Sequence, residues 1–335
     1  MAELVFPIAA IALTFFVLVP VLTLASRRAL ERRRRLARIW ADFGSASTYA
    51  MIVGPTLVPV VWLVSSTLHE LEAGTALHSC LLDHSDPTCI DTLLLCALLS
   101  IGAVAVFGSR LWLERRAVRP QTLPESHILA GRLVRVAARH PNLLGLPILA
   151  VHGSATPVST RGLFKPRILV DSCFMREADD EMLLAALLHE LAHVRGRDTV
   201  RVFLAQICLA LNPASRLLEP EFARWRQARE AGCDADAVAS GGDALALADS
   251  ILSAARFDCQ RPCHAASVGL CGRDHTALRL RVMLLVEGSR CTSRSFGAVA
   301  LLLFALASAA APHVEGLELL SAFHLEVERL LHHPS

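Results

Sequence analysis

The sequence predicts a multi-span α-helical membrane protein with one α+β domain set between its third and fourth spans. Three observations carry that expectation. The 335 residues are 53% hydrophobic and only 19% charged, with a mean hydropathy of +0.46, well above that of ordinary water-soluble chains. The apolar residues fall in long uncharged runs, near the roughly 20 residues a helix needs to cross a hydrocarbon core of about 30 Å. The arginines gather at the ends of those runs, on what the positive-inside rule makes the cytoplasmic side. A formal charge of +2, from 33 basic and 31 acidic residues, is near balance and argues against direct nucleic-acid binding.

Leu4 to Leu24 is uncharged over 21 positions and is expected to be the first span, residues 1–25, with the N-terminus outside. A cleaved signal peptide fits less well, because no basic residue precedes the run and the run is too long. Arg27, Arg28, Arg32, Arg33, Arg34, Arg35 and Arg38 follow in a basic cytoplasmic loop, 26–43. A nucleic-acid patch is the other reading of such a cluster, but beside a span the positive-inside explanation is simpler.

Gly44 to Leu68 and Thr92 to Ser109 are uncharged for 25 and 18 residues and are expected to form a transmembrane hairpin within 44–113. The loop between them, 69–91, has no lysine or arginine but carries Glu70, Glu72, Asp83, Asp86 and Asp91, which places it outside. An oxidising exterior would permit a Cys80–Cys89 disulfide there; the sequence fits the bonded and free states equally. Arg110, Arg115, Arg116 and Arg119 bring the chain back inside, into a cytoplasmic domain at 114–294. Ser295 to Pro312 is the fourth expected span and 313–335 an outside tail. Val202 to Asn212 is apolar too, but 11 residues are too few to span and suggest a buried or interface-lying helix. This map places the protein in the inner (cytoplasmic) membrane, with the bilayer as a partner.

The chemistry is concentrated in LLAALLHELAHVRGRD, where His189, Glu190 and His193 form HExxH in a strongly helical setting of leucine and alanine. Spacing of four puts both imidazoles on one helix face, able to share one zinc ion, with Glu190 beside the water that such a metal activates. That suits peptide hydrolysis, with Glu190 as general base, and makes the domain zincin-like. A third ligand is needed. WRQAREAGCDADAV offers Glu230, with Asp234 one turn on and able to orient a zinc-bound histidine from behind. Spacing alone fits equally well an exposed acidic face paired with Arg226 or Arg229.

HELAHVRGRD, followed at this distance by REAGCDADAV and preceded by GLFKPRILV, resembles the BlaR/MecR-type family of membrane zinc metallopeptidases over roughly Glu125 to Leu285. The resemblance implies that His189 and His193 bind one Zn2+, that Glu190 is catalytic and that Glu230 completes the site. It also implies a cytoplasmic transcriptional repressor as substrate. Ste24/HtpX-like proteases share the two-part zinc pattern, so a quality-control protease of membrane proteins is an alternative. So is a non-catalytic receptor or scaffold, although a structural site would not need Glu190. Receptors of the BlaR/MecR type carry a penicillin-binding domain after their last span, whereas here 23 residues follow the fourth run. The only lysine, Lys165, has Gly162 three places before it, so no serine stands ready for acylation by a β-lactam. Any sensing input is expected from a separate protein, the outside loop, the tail or the membrane.

Weaker signals complete the reading. Arg167, Ile168, Leu169 and Val170 form a short β-prone run, expected as a sheet-edge strand for substrate, with Gly162 and Pro166 as turn residues. An ordinary core strand is the other reading. Asp198 is expected to cap the next helix, from Thr199, or to brace the zinc helix. Ala277 to Val286 is expected to be a packing helix with a solvated basic face at Arg279 and Arg281. Cys259, Cys263, His264, Cys271 and His275 lack a paired CxxC and suit a surface loop better than a second zinc site. For an oxyanion donor, Arg273 and His275 are the candidates; the lone tyrosine, Tyr49, is expected at a membrane edge.

Overall fold

A computed structural model describes residues 13–36, 44–73, 120–154, 156–259 and 275–287, with a few isolated positions between 102 and 109. The elements are α1 (Val19–Leu36), α2 (Ala46–Ala73), β1 (Gln121–Thr122), α3 (Ile128–Ala137), β2 (Ile148–His152), β3 (Val158–Arg161), β4 (Arg167–Asp171), α4 (Ser172–Glu177), α5 (Asp180–Gly196), α6 (Asp198–Leu211), α7 (Glu219–Ala239), α8 (Ala244–Cys259) and α9 (His275–Val286).

The strand order is β1-β2-β4-β3, with β2 and β4 parallel and both outer pairs antiparallel. β3 and β4 are a hairpin whose turn depends on Gly162. Its φ of +102° suits glycine, and a Cβ there would collide with the Lys165 carbonyl. One sheet face is covered by α5, whose N-terminus is set by Asp179: the carboxylate accepts from the Met182 amide at 2.8 Å, with Asp180 and Glu181 in the first turn. From Leu187 to His193 every residue of α5 is buried, as a helix enclosed by other elements must be.

Two apolar clusters flank that helix. The larger joins α5 to the sheet, α3, α4, α8 and α9 through Val158, Ile168, Phe174, Leu187, Ile251 and Leu285. The smaller joins α1 and α2 to α6 and α7 through Leu30, Tyr49, Ile52, Val53, Ala205 and Trp225. Tyr49 and Trp225 rings lie 5.0 Å apart, and Tyr49 Oη donates to the Arg201 carbonyl at 2.8 Å.

This second cluster explains a correction. Among the described residues no helix is long and apolar enough to cross a membrane, so the α+β part of the expected fold class stands and the multi-span part is not supported. The uncharged run from Gly44 is apolar in its first turns because α2 packs on protein: Thr48, Tyr49, Ile52, Val53 and Thr56 recur at helical spacing and are all buried. α1 likewise does not stop at a membrane edge. It continues through Arg27 and Arg28 to bury Leu30, and Asn212 Nδ2 on the far side of α6 donates to Thr23 Oγ1 at 2.9 Å. Tyr49 is therefore a core residue and not a membrane-edge one. The apolar run ending at Asn212 is α6, buried on one side at Val202, Ala205, Cys208 and Leu209. The expected spans at 92–109 and 295–312, the Cys80–Cys89 pair and the tail at 313–335 fall, apart from those isolated positions, outside the described residues.

Candidate metal centre

α5 and α7 cross so that two pairs of side chains, each one turn apart, face each other. His189 and His193 come from α5, Glu230 and Asp234 from α7. The Nε2 atoms of the two histidines stand 3.2 Å apart. Glu230 Oε2 lies 3.4 Å from His189 Nε2, and Oε1 lies 3.6 Å from His193 Nε2. Three atoms capable of ligating one ion thus converge within 4.8 Å, two of the residues buried and Glu230 partly so.

Behind each histidine stands a carboxylate, and behind each carboxylate a buried arginine. Asp234 Oδ1 is 2.8 Å from His189 Nδ1, and Arg281 grips Asp234 through Nε and Nη2, both at 2.7 Å. Asp198 Oδ2 is 2.9 Å from His193 Nδ1 and accepts from Arg229 Nε at 2.8 Å. Asp198 is the first residue of α6, entered through Arg197 in the left-handed region, so of the two roles expected for it the geometry favours bracing the helix of His193. A carboxylate at Nδ1 keeps the proton on that nitrogen, which turns each Nε2 lone pair toward the other ring and toward Glu230.

Acceptors facing acceptors repel unless a cation lies among them. Burial lowers the affinity of both histidines for a proton, yet for His189 the Asp234 and Glu230 carboxylates, and for His193 the neighbouring Cys233, Glu230 and Asp198, reverse the sign and hold the pKa above the ordinary value. Burial pushes the Glu230 carboxyl up, but His193, His189 and Arg281 outweigh it and hold it well below the usual range. Four carboxylates, Glu190, Glu230, Asp198 and Asp234, stand against two guanidiniums, Arg229 and Arg281, in this buried shell. With neutral imidazoles the shell lacks two positive charges, which a divalent ion would supply, so the donor set fits a metal of the zinc type.

Glu190 is buried beside this cluster. Thr160 Oγ1 of β3 donates to Glu190 Oε2 at 2.7 Å, which fixes the carboxylate, while Oε1 is buried with no hydrogen-bond partner among the described residues. A second ligand-like group, His193, Asp198 and Cys233, shares His193 but uses its Nδ1, already committed to Asp198. Burial pushes the Cys233 thiol up to about 11, and its Sγ lies 3.7 Å from Asp198 Oδ2.

Several expectations change. Arg167, Ile168, Leu169 and Val170 form β4, which is paired on both sides and so is a core strand; the edge next to α5 is β3. A run of four β-prone residues cannot distinguish edge from centre, because that depends on partners elsewhere in the chain. Arg279 is exposed, but Arg281 is 5% exposed and engages Asp234 and Glu230, so α9 presents only part of the expected solvated basic face. Arg229, one of the two partners in the alternative reading of an exposed acidic face, is buried on Asp198. Thr160 and Arg281 carried no sequence signal, since neither lies in a motif and both reach the site by long-range packing. Cys259 ends α8, whereas Cys263, His264, Cys271, Arg273 and the side chain of His275 lie outside the described residues.

No curated protein matches this chain. A sequence model described as BlaR1 peptidase M56 matches residues 51–285, more than half of the chain, spanning both HExxH and the Glu230 motif. That family is membrane-associated and its members are metallopeptidases, which agrees with a buried donor set short of two positive charges. The chain therefore belongs to the BlaR1 peptidase M56 family.

Proposed function

We propose that the protein is a zinc-dependent endopeptidase in which His189, His193 and Glu230 hold one Zn2+ and Glu190 is the general base. The reading is carried by Glu190 Oε1, a buried oxygen with no hydrogen-bond partner among the described residues, beside three converging ligand atoms. Held by His189, His193 and Glu230, a zinc ion would supply Lewis acidity toward a scissile carbonyl and a water molecule. Thr160 holds Oε2, and Oε1 takes the proton of the attacking water and returns it to the leaving amine nitrogen. Asp234 and Asp198 keep the imidazoles in one tautomer and orientation throughout.

The substrate binds in extended form along β3, the sheet edge whose Thr160 touches the catalytic glutamate. The family resemblance makes a DNA-binding repressor the favoured substrate in a signalling cascade. The test is zinc content together with proteolysis by intact protein, Glu190→Gln and a chelated sample on a mixed protein extract, with new chain ends found by mass spectrometry. Zinc near one per chain and Glu190-dependent cleavage of a repressor are expected. Absence of bound zinc, or cleavage unaffected by Glu190→Gln, would overturn the reading; Glu190-dependent cleavage of membrane proteins alone would replace the repressor with a quality-control substrate.

A further inference from the structure

Arg281 sits on α9, far along the chain from both helices that carry the candidate ligands, yet it is 5% exposed and turns every guanidinium nitrogen toward a carboxylate. Nε and Nη2 donate to the two oxygens of Asp234, each at 2.7 Å, and Nη1 lies 3.3 Å from Glu230 Oε2. The planar fork of arginine matches two carboxylates at once; a lysine ammonium could not. With all three nitrogens committed, the group has nothing left to offer a substrate, so it acts through the carboxylates it holds.

Packing does not require an arginine here. Leu278, Val282 and Leu285 of the same helix already join the larger apolar cluster, and a guanidinium must be desolvated to be buried there, a cost an apolar side chain would not carry. What the arginine adds is orientation. Glu230 Oε2 stands between His189 Nε2 at 3.4 Å and Arg281 Nη1 at 3.3 Å, so the guanidinium limits the carboxylate to the position facing the histidines. The same guanidinium fixes Asp234, 2.8 Å from His189 Nδ1. One side chain thereby sets a candidate ligand directly and a second through its carboxylate. Arg229, its counterpart at His193, grips Asp198 but has no such contact with Glu230 among the described residues.

We propose that Arg281 is a positioning residue of the metal centre, holding Glu230 and Asp234 in ligating geometry so that docking of α9 completes the site. The proposal rests on the reading that His189, His193 and Glu230 hold the metal. In the full chain, Zn2+ affinity is measured by chelator competition, ligand geometry by the visible spectrum of the Co2+ form, and the stability of the metal-free protein by denaturant unfolding, for wild type, Arg281→Met and Arg281→Lys. Arg281→Met is expected to bind Zn2+ about 10- to 100-fold more weakly and to alter the Co2+ bands. Arg281→Lys, which keeps the charge and loses the fork, should fall between and carries the test if the methionine variant does not fold. A variant that binds Zn2+ within about twofold of wild type with an unchanged Co2+ spectrum, whatever its stability, would reduce Arg281 to packing. Wild-type protein that binds no Zn2+ would overturn the metal reading itself, and this proposal with it.

Discussion

His193 is braced from close by and His189 from far away. Asp198 stands five residues past its histidine, at the corner where α5 turns into α6, so forming that corner delivers the carboxylate. At His189 the carboxylate comes from α7, and its arginine from α9, 47 residues beyond Asp234. The chemistry is the same at both ends: imidazole, carboxylate, guanidinium. The difference lies in what must fold first, for the near clamp has a local carboxylate and needs only α7 to bring Arg229, whereas the far clamp needs both α7 and α9 docked on α5.

The largest effect is expected where both clamps are left intact. Glu190→Gln keeps the shape of the buried side chain and its contact with Thr160 but removes the base, so peptidase activity should fall by about 10^2- to 10^4-fold with Zn2+ affinity little changed. If metal binding fell equally, Glu190 would belong with the ligands.

Removing either bracing carboxylate tests the comparison directly. Asp234→Ala leaves Arg281 buried with, among the described residues, the Glu230 contact at 3.3 Å as its remaining carboxylate partner, a loss on the order of 3–5 kcal/mol of unfolding free energy. Asp198→Ala should cost less, because Arg229 retains the Ala192 carbonyl at 3.5 Å and Asp236 at 3.8 Å. Urea unfolding of the metal-free proteins measures both; equal or reversed losses would remove the distinction between the clamps.

These two clamps also show what a sequence can disclose. HExxH and the spacing of Glu230 and Asp234 are legible because i, i+4 on a helix is a spatial statement, and a carboxylate just past the helix end is local as well. Sequence periodicity places Arg281 on a solvated face because it gives a helix faces but not the identity of whatever packs on each. The order of the sheet was hidden for the same reason: β4 lies between β2 and β3 only because β2 pairs with it in parallel across an intervening strand. The uncharged run from Gly44 reads as a span because a helix buried against protein and one buried in lipid share a composition; what separates them is polar, in Thr48, Tyr49 and Thr56 on one buried stripe.

A smaller effect is expected at Thr160, which joins the sheet edge to the general base. Thr160→Val removes a hydrogen bond to a buried carboxylate and should lower kcat/KM by roughly tenfold and the unfolding free energy by about 1–3 kcal/mol, with Zn2+ affinity held. A loss confined to KM would mean that the residue serves β3 as a binding edge and not Glu190.

The smallest effect separates the start of the candidate zinc helix from its clamps. Asp179 accepts from the Met182 amide at 2.8 Å and is the N-cap of α5, more than two turns before His189. Loss of such a cap costs about 1 kcal/mol, and the fraying it allows stays within the first turn. Asp179→Ala should therefore lower the unfolding free energy by that amount while Zn2+ affinity and the Co2+ spectrum match the wild type. The prediction has force because the alternative is mechanical: if α5 transmitted strain along its length, a loosened first turn would be felt at His189 and metal binding would weaken with stability. The burial of every residue from Leu187 to His193 argues for a rigid centre held sideways by α7 and α9, in which the ends of the helix matter less than what crosses it.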